Sequence, residues 1–403
     1  MTANFSPTLS LFKCIAVLLA IVAICSEMQA AEELTSEFLF PFHDQHNHAP
    51  GIAELAGGEL IVSWYRGTGE RKSDDVAVYG ARLKPGASTW SDPFLMVDTP
   101  GFPDCNTAMM SDANGRLWLF WPVILANTWE SCLTQAVVSE SPGGEDCPKW
   151  TQRQSLFLKP EDFSAEANRV LDAMLAALPS PLPQETLQKI DVARGQLNDK
   201  LLQRLGWQPR CKPLVLPTGR ILLPLYTDTF SIAIMAISDD QGQSWYASKP
   251  ILGFGAIQPT VLRRNDGTLI VYMRENGFTG RIRTSESHDD GITWSPVISA
   301  ALPNPGSGLD GVRLSNGHWI LVYNDTEQSR NRLAVSLSTD EGATWSATRH
   351  LEDQPDGSYH YPCVIQTQDG RIHAVYSYFS ATGKTMKHAA FSEDWILKGD
   401  AKR

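Results

Sequence analysis

Leu-Val-Leu-Pro-Thr-Gly-Arg-Ile-Leu-Leu-Pro-Leu-Tyr, spanning Leu214–Tyr226, is an apolar run, a tight turn at Gly219 and a second apolar run. Glycine supplies the dihedrals of such a turn, and each flanking run has the make-up of a strand, so the stretch predicts a β-hairpin. The same figure returns at Gly58, Gly115, Gly267, Gly317 and Gly370. Successive repeat glycines stand 57, 104, 48, 50 and 53 residues apart. A strand repeat at about 40–50 residues predicts one propeller blade per copy. We therefore expect an all-β chain folded as a six-bladed β-propeller. The double-length step holds an insertion. Leu171, Met174, Leu175 and Leu178 fall at helical spacing, as do Leu197, Leu201 and Leu205, with Ser180-Pro-Leu-Pro183 between them. This predicts a helical hairpin over about residues 160–207, between blades two and three. It is either a stability pad or a lid over the axis.

The chain has 403 residues, a formal charge of −11 and 42% apolar residues, which suits a soluble protein with ample core. There is no basic excess to meet nucleic-acid phosphates. Lys13 precedes an apolar run from Cys14 to Cys25, and small residues follow at Ala30 and Ala31. That pattern predicts a secretory signal peptide over residues 1–30, with the propeller over 31–403. The mature chain is then a secreted or periplasmic monomer that leaves the membrane once the signal is cleaved. Cys105, Cys132, Cys147, Cys211 and Cys363 remain, and a bridge among the first three is an expectation. No spacing suggests a metal site, and no cofactor is expected.

A local motif recurs in register at Ser238–Trp245, Ser287–Trp294 and Ser338–Trp345, with the form Ser-x-Asp-x-Gly-x-Ser/Thr-Trp. The Asp can bond turn N–H groups, the Gly takes the left-handed dihedral and the Trp packs between sheets. A propeller also gathers the starts of its innermost strands around one axis. Counting back about ten residues from each repeat glycine gives His46-Asn-His48, Asp104-Cys-Asn106, Arg210-Cys-Lys212, Gln258, Asp310 and Tyr359-His-Tyr361. Those residues are expected to line one polar cleft.

The recurring turns are Asp-boxes, and the chain resembles the bacterial BNR-repeat proteins of the sialidase (neuraminidase) superfamily. The resemblance covers everything after the N-terminal segment except the helical insert. It implies a six-bladed propeller with the Asp-boxes on its outside, so they speak to fold and not to reaction. It also implies an arginine trio that grips a substrate carboxylate, an Asp as acid–base, and a Tyr nucleophile activated by a Glu. Tyr361, in Tyr361-Pro-Cys-Val, resembles the nucleophile; Asp75 resembles the acid–base; Arg274 and Arg332 resemble two clamp arginines. Two positions depart from the pattern. His48-Ala-Pro50 stands where the family has Arg-Ile-Pro, and Gln258-Pro259 replaces the activating glutamate. An amide cannot take a proton from a phenol.

The reading that follows is a glycoside hydrolase, similar to an exo-α-sialidase, acting on sialic or uronic acid-containing glycans. Asp75, Tyr361 and His48 are its catalytic candidates. Arg210, Arg274, Arg332, Gln258, Asp104, Asp310 and Tyr359 are its substrate-binding candidates, and carbohydrate is its partner. A second reading is a polysaccharide lyase, in which His46, His48 or Tyr361 takes a proton beside a uronate held by Arg210. His360 and His373 would then be structural. A third is a glycan-binding propeller without catalysis.

Overall fold

The computed structural model describes residues 34–178 and 181–400. The expected signal peptide lies outside them. Six antiparallel sheets form the propeller. Blade one is built from His46–Glu54, Leu60–Gly67, Ala77–Leu83 and Phe94–Val97. Blade two comprises Ala108–Ser111, Leu117–Ile124, Cys132–Ser139 and Gln152–Ser155. Blade three has a broken inner edge, Gln208–Pro209 and Leu214–Val215, followed by Ile221–Thr227, Ile232–Ser238 and Tyr246–Ala247. Blade four is Ala256–Arg263, Leu269–Glu275, Arg281–Ser287 and Ile298–Pro303; blade five is Asp310–Arg313, Trp319–Tyr323, Arg332–Ser338 and Ala347–Asp353.

Blade six closes the ring. Its inner strands Ser358–Gln366, Ile372–Ser380 and Gly383–Phe391 come from the end of the chain. Its outer strand, Thr35–Phe38, comes from the beginning, in register Thr35 to Ala390 and Phe38 to Lys387. The seam is buttressed by Glu37, whose carboxylate accepts from Trp90 Nε1 of blade one at 3.0 Å and meets His388 at 3.3 Å. Each predicted repeat glycine sits at a hairpin turn with positive φ, 75° to 97°.

The Asp-boxes join the third and fourth strands of blades three, four and five. In each, the Ser hydroxyl donates to the Asp at 2.8 Å while accepting the Gly N–H at 2.8–3.0 Å. The Trp packs on the preceding blade: Trp245 meets Phe120 edge-on, and Trp345 meets Tyr272.

The insert forms two helices, α1 (Phe163–Ala176) and α2 (Gln184–Asn198). Phe163, Ala167 and Leu197 are buried against Trp207, Phe230 and Ile232, which belong to blade three and the segment entering it. Met174, Leu178 and Leu201 of the expected apolar faces are exposed. A cleft of about 720 Å³ separates α1 from Lys249–Leu252 and the Asp-box segment Thr293–Pro296. The insert thus packs against blade three and the segment entering it. All five described cysteines are free thiols, so the expected bridge is absent; Cys105 and Cys132 are buried in one apolar cluster with Ala49 and Tyr65. Among the described residues no helix is long and apolar enough to cross a membrane.

A Cβ on Gly242 would lie 2.1 Å from the Trp118 ring, at φ +87°; one on Gly219 would meet nothing within 4 Å. Gly242→Ala should cost about 2–5 kcal/mol and Gly219→Ala about 1–2 kcal/mol, read from urea unfolding midpoints. Equal losses would show that the Asp-box turn does not clamp neighbouring blades.

Candidate functional site

Three inner strands carry the same irregularity. Their pairing slips between His48 and Gly51, between Ile257 and Thr260, and between His360 and Cys363. At each slip a residue with positive φ precedes a proline: Ala49 (54°), Gln258 (55°) and Tyr361 (50°). Such bulges re-aim a side chain at the cost of local strain, and strain of this kind collects at functional sites. Here they bring Gln258 and Tyr361 together although 103 residues separate them.

Tyr361 is the hub. Its phenol oxygen accepts from Arg274 Nη1 at 2.9 Å and from Gln258 Nε2 at 3.1 Å. The His48 ring stacks on it at 4.3 Å, and the Arg210 guanidinium lies 4.8 Å from its centre. Arg210 is 1% exposed and bonds only the carbonyls of Pro50 and Pro362. A cation–π contact supplies up to about 2 kcal/mol when desolvated, whereas burying a cation costs several. The balance leaves a positive potential beneath the phenol. Arg210 Nε, Arg274 Nε and Gln258 Oε1 are also buried without a partner. Orphaned polar atoms gathered around one group mark a site that expects a ligand.

The histidines have fixed roles. His360 Nδ1 must accept from Arg330 Nη1 at 2.6 Å, because a guanidinium only donates; its Nε2–H then donates to Ser358 Oγ at 2.7 Å. Lys384 donates to His46 Nδ1 at 2.6 Å, so His46 Nε2–H faces Glu70 Oε1 at 3.2 Å. Ser377 Oγ accepts the Ala49 N–H and lies 2.8 Å from His48 Nδ1. Burial, with His360 and His46 nearby, pushes His48 well below the ordinary imidazole range. Burial and the Arg330 guanidinium push His360 down to about 2. His48 and His360 are thus held as neutral rings, and Nδ1 of His360 and of His46 is occupied by a cationic donor.

Two carboxylates reach the site from hairpin loops, and their environments pull them apart. Burial tends to raise Glu70, but hydrogen bonds from His46 and Tyr65 (3.0 Å) and the charge of Arg71 bring it below the usual range. Burial raises Asp228 against the pull of Arg274 and Arg71. Gln208 Nε2 donates to Asp228 at 2.9 Å, and Gln208 in turn accepts from Asn106. A pair of carboxyls so divided suits one proton donor and one fixed negative charge.

Several expected site residues have other duties. Asp75 is exposed, and its carboxylate accepts from the N–H and hydroxyl of Thr68 at 2.9–3.2 Å, closing its own loop; Glu70 is the acid that this loop delivers. Arg332 opens a strand and faces Asp353 at 3.5 Å; Arg330, two residues earlier, is the guanidinium beside His360. Asp104 accepts from Trp121 Nε1 at 2.6 Å and from Thr99, so it braces blade two; burial pushes its carboxyl up to about 6. Asp310 is locked to Lys212 at 2.7 Å. Tyr359 is a core side chain packed against Tyr376 and Tyr378. Glu70, Asp228 and Arg330 were missed, yet each lies 9–13 residues after a repeat glycine, in the hairpin loop of its blade. Among the described residues no His/Cys/Asp/Glu group could hold a metal ion.

The His360 shift has a sign that can be checked. The unfolded chain takes up this proton near pH 6.5 and the folded chain only near pH 2, so the stabilisation is complete above pH 6.5 and declines as pH falls through that window. His360→Gln should therefore flatten the loss of urea stability between pH 7 and pH 4. An unchanged slope would mean that His360 is solvated.

A BNR repeat-like domain model matches residues 207–374. The chain is 25% identical over 174 residues to a sialidase of Micromonospora viridifaciens, covering 41% of this chain and 26% of the relative. It is 25% identical over 189 residues to an anhydrosialidase of Macrobdella decora, covering 42% and 24%. The match thus spans about a quarter of the length of each curated relative. The solved sialidase of Streptococcus pneumoniae superposes with a TM-score of 0.66 at 14% identity, over 89% of this chain and 71% of that one, which is a likeness of fold. Six blades, three Asp-boxes, the BNR repeat-like match over residues 207–374 and the sialidase relatives together support assigning the chain to the sialidase/BNR superfamily.

Proposed function

We propose that this protein is a sialidase-type glycoside hydrolase acting on glycans whose sugar carries a carboxylate, sialic or uronic. The observation that carries the reading is the convergence of cations on Tyr361: Arg274 bonds its oxygen, Arg210 underlies its ring, and the charge of Arg330 acts on it. A guanidinium pair matches a carboxylate geometrically, and Arg274 keeps a buried donor unpartnered. In this scheme Arg274 and Arg330 hold the sugar's acid. The Tyr361 oxygen attacks the anomeric carbon as the bond to the leaving oxygen breaks, and the phenol proton passes to solvent, from which the oxygen regains it when the sugar is released. Asp228 donates its proton to that oxygen, then takes one from the water that releases the sugar and frees Tyr361. Gln258 cannot serve as base, so the negative charge on the attacking oxygen is met by Arg274, Arg210 and the Gln258 amide. His48, in place of the family's first arginine, packs on the phenol and grips no acid.

Nδ1 of His46 and of His360 is occupied by Lys384 and Arg330, which speaks against either ring as the base of a lyase. Secretion, a monomeric state and the absence of a cofactor belong to this proposal as well.

The test is product analysis on 3′-sialyllactose and on a glucuronate-terminated disaccharide. Free acidic sugar should appear without an unsaturated product. Tyr361→Phe and Arg274→Ala should lower the rate by about 10²–10³-fold or more. Asp228→Asn should cost about 10²–10⁴-fold, while Asp75→Ala keeps most of the activity. An unsaturated sugar, or full activity in Tyr361→Phe, contradicts the scheme.

A further inference from the structure

Phe278 stands at the tip of the hairpin between Leu269–Glu275 and Arg281–Ser287, fully exposed at 105% of its reference area. Leaving a phenyl ring in water forgoes about 1.5–3 kcal/mol of burial. The loop is nevertheless built to hold it there. The Glu275 carboxylate, itself 3% exposed, accepts from the Gly277 N–H, the Thr279 hydroxyl and Arg283. Asn276 N–H donates to Gly255 O at 2.7 Å, and its side chain donates to Ser231 Oγ at 2.9 Å.

Beside this loop runs a groove of about 470 Å³, between Asn276–Gly280, Asn304–Gly306 and Glu327–Gln328. That is within the range of about 300–1,000 Å³ found for small-ligand sites. Its inner end is the catalytic cleft: Arg274 lines it, and the Gly306 carbonyl in its wall accepts from Arg330 Nη2 at 2.6 Å. The groove is polar along its floor and carries one exposed aromatic ring at its rim.

We propose that Phe278 and this groove form a subsite for a second pyranose ring, linked to the acidic sugar held at the axis. A pyranose presents an apolar C–H face to an aromatic ring and hydroxyls around its edge. Phe278 takes the first, and Asn276 and Gln328 meet the second. Glu327 at the outer wall is paired with Arg281 at 2.6 Å, so the two charges offset each other and the added sugar is neutral. The ligand is then an oligosaccharide of at least two rings, and a lone acidic sugar uses only part of the site. This inference rests on the acidic-glycan reading above.

The experiment is calorimetric binding to the catalytically silenced Tyr361→Phe protein, with and without Phe278→Ala. The probes are N-acetylneuraminic acid, 3′-sialyllactose, glucuronic acid and a glucuronate-terminated disaccharide. In one acid series the two-ring probe should bind more tightly than its monosaccharide. Phe278→Ala should weaken that probe alone by about five- to tenfold, and Phe278→Trp should restore it. Equal affinities for one and two rings, or an unaffected Phe278→Ala protein, overturn the subsite and leave the acidic-sugar reading intact. Absence of binding to all four probes overturns both.

Discussion

The axial site depends on one buried carboxylate. Asp310, fully buried at the start of the blade-five inner strand, accepts from Lys212 of blade three at 2.7 Å, from Thr260 of blade four at 2.8 Å and from the Val364 N–H of blade six at 2.9 Å. One side chain thus ties four blades together at the axis. Breaking a buried, paired charge of this kind costs about 3–5 kcal/mol, far more than an exposed bridge. The positions it fixes are those that matter. Thr260 lies two residues beyond Gln258, and Val364 three beyond Tyr361. The polar knot below the bulges therefore sets the register from which Gln258 and Tyr361 meet.

Above that knot, structure and chemistry divide the charged residues. The inner strands supply a rigid, cationic floor of Arg210 and Tyr361, with His48 stacked upon it. The hairpin loops supply Glu70, Asp228 and Arg330, and the end of the second strand of blade four supplies Arg274. Replacement of the family's glutamate by Gln258 removes a proton acceptor but keeps a donor to Tyr361. The phenol oxygen is therefore surrounded by donors alone, Arg274 and the Gln258 amide, with the Arg210 guanidinium beneath its ring.

The repeat was legible because every blade needs a turn glycine and a strand pair at the same spacing, and because each Asp-box must hold a Ser, an Asp and a Gly at fixed offsets. The convergence of His48, Arg210, Gln258 and Tyr361 was legible for the same reason. Direction was not. Counting along the chain places Tyr359 and Tyr361 alike at the axis, but only the bulge decides that Tyr361 faces the cleft and Tyr359 the core. Arg330 and Arg332 differ by two residues, yet one precedes its strand and the other lies within it, paired outward. Asp104 and Asp310 look like site acids in sequence because burial is invisible there; in the fold each is consumed by backbone, indole or lysine donors. Glu70 and Asp228 stayed hidden because the axis was sought about ten residues before each repeat glycine, and they lie 12 and 9 residues after theirs.

The central claim is that the propeller axis grips a sugar carboxylate between Arg274 and Arg330, directly over Tyr361. A crystal structure of Tyr361→Phe soaked with 3′-sialyllactose tests it most directly. The account predicts the carboxylate within hydrogen-bonding reach of both guanidiniums, with the anomeric carbon facing residue 361. A glycan seated elsewhere, such as the cleft beside α1, or a carboxylate turned away from Arg274 and Arg330, would contradict it.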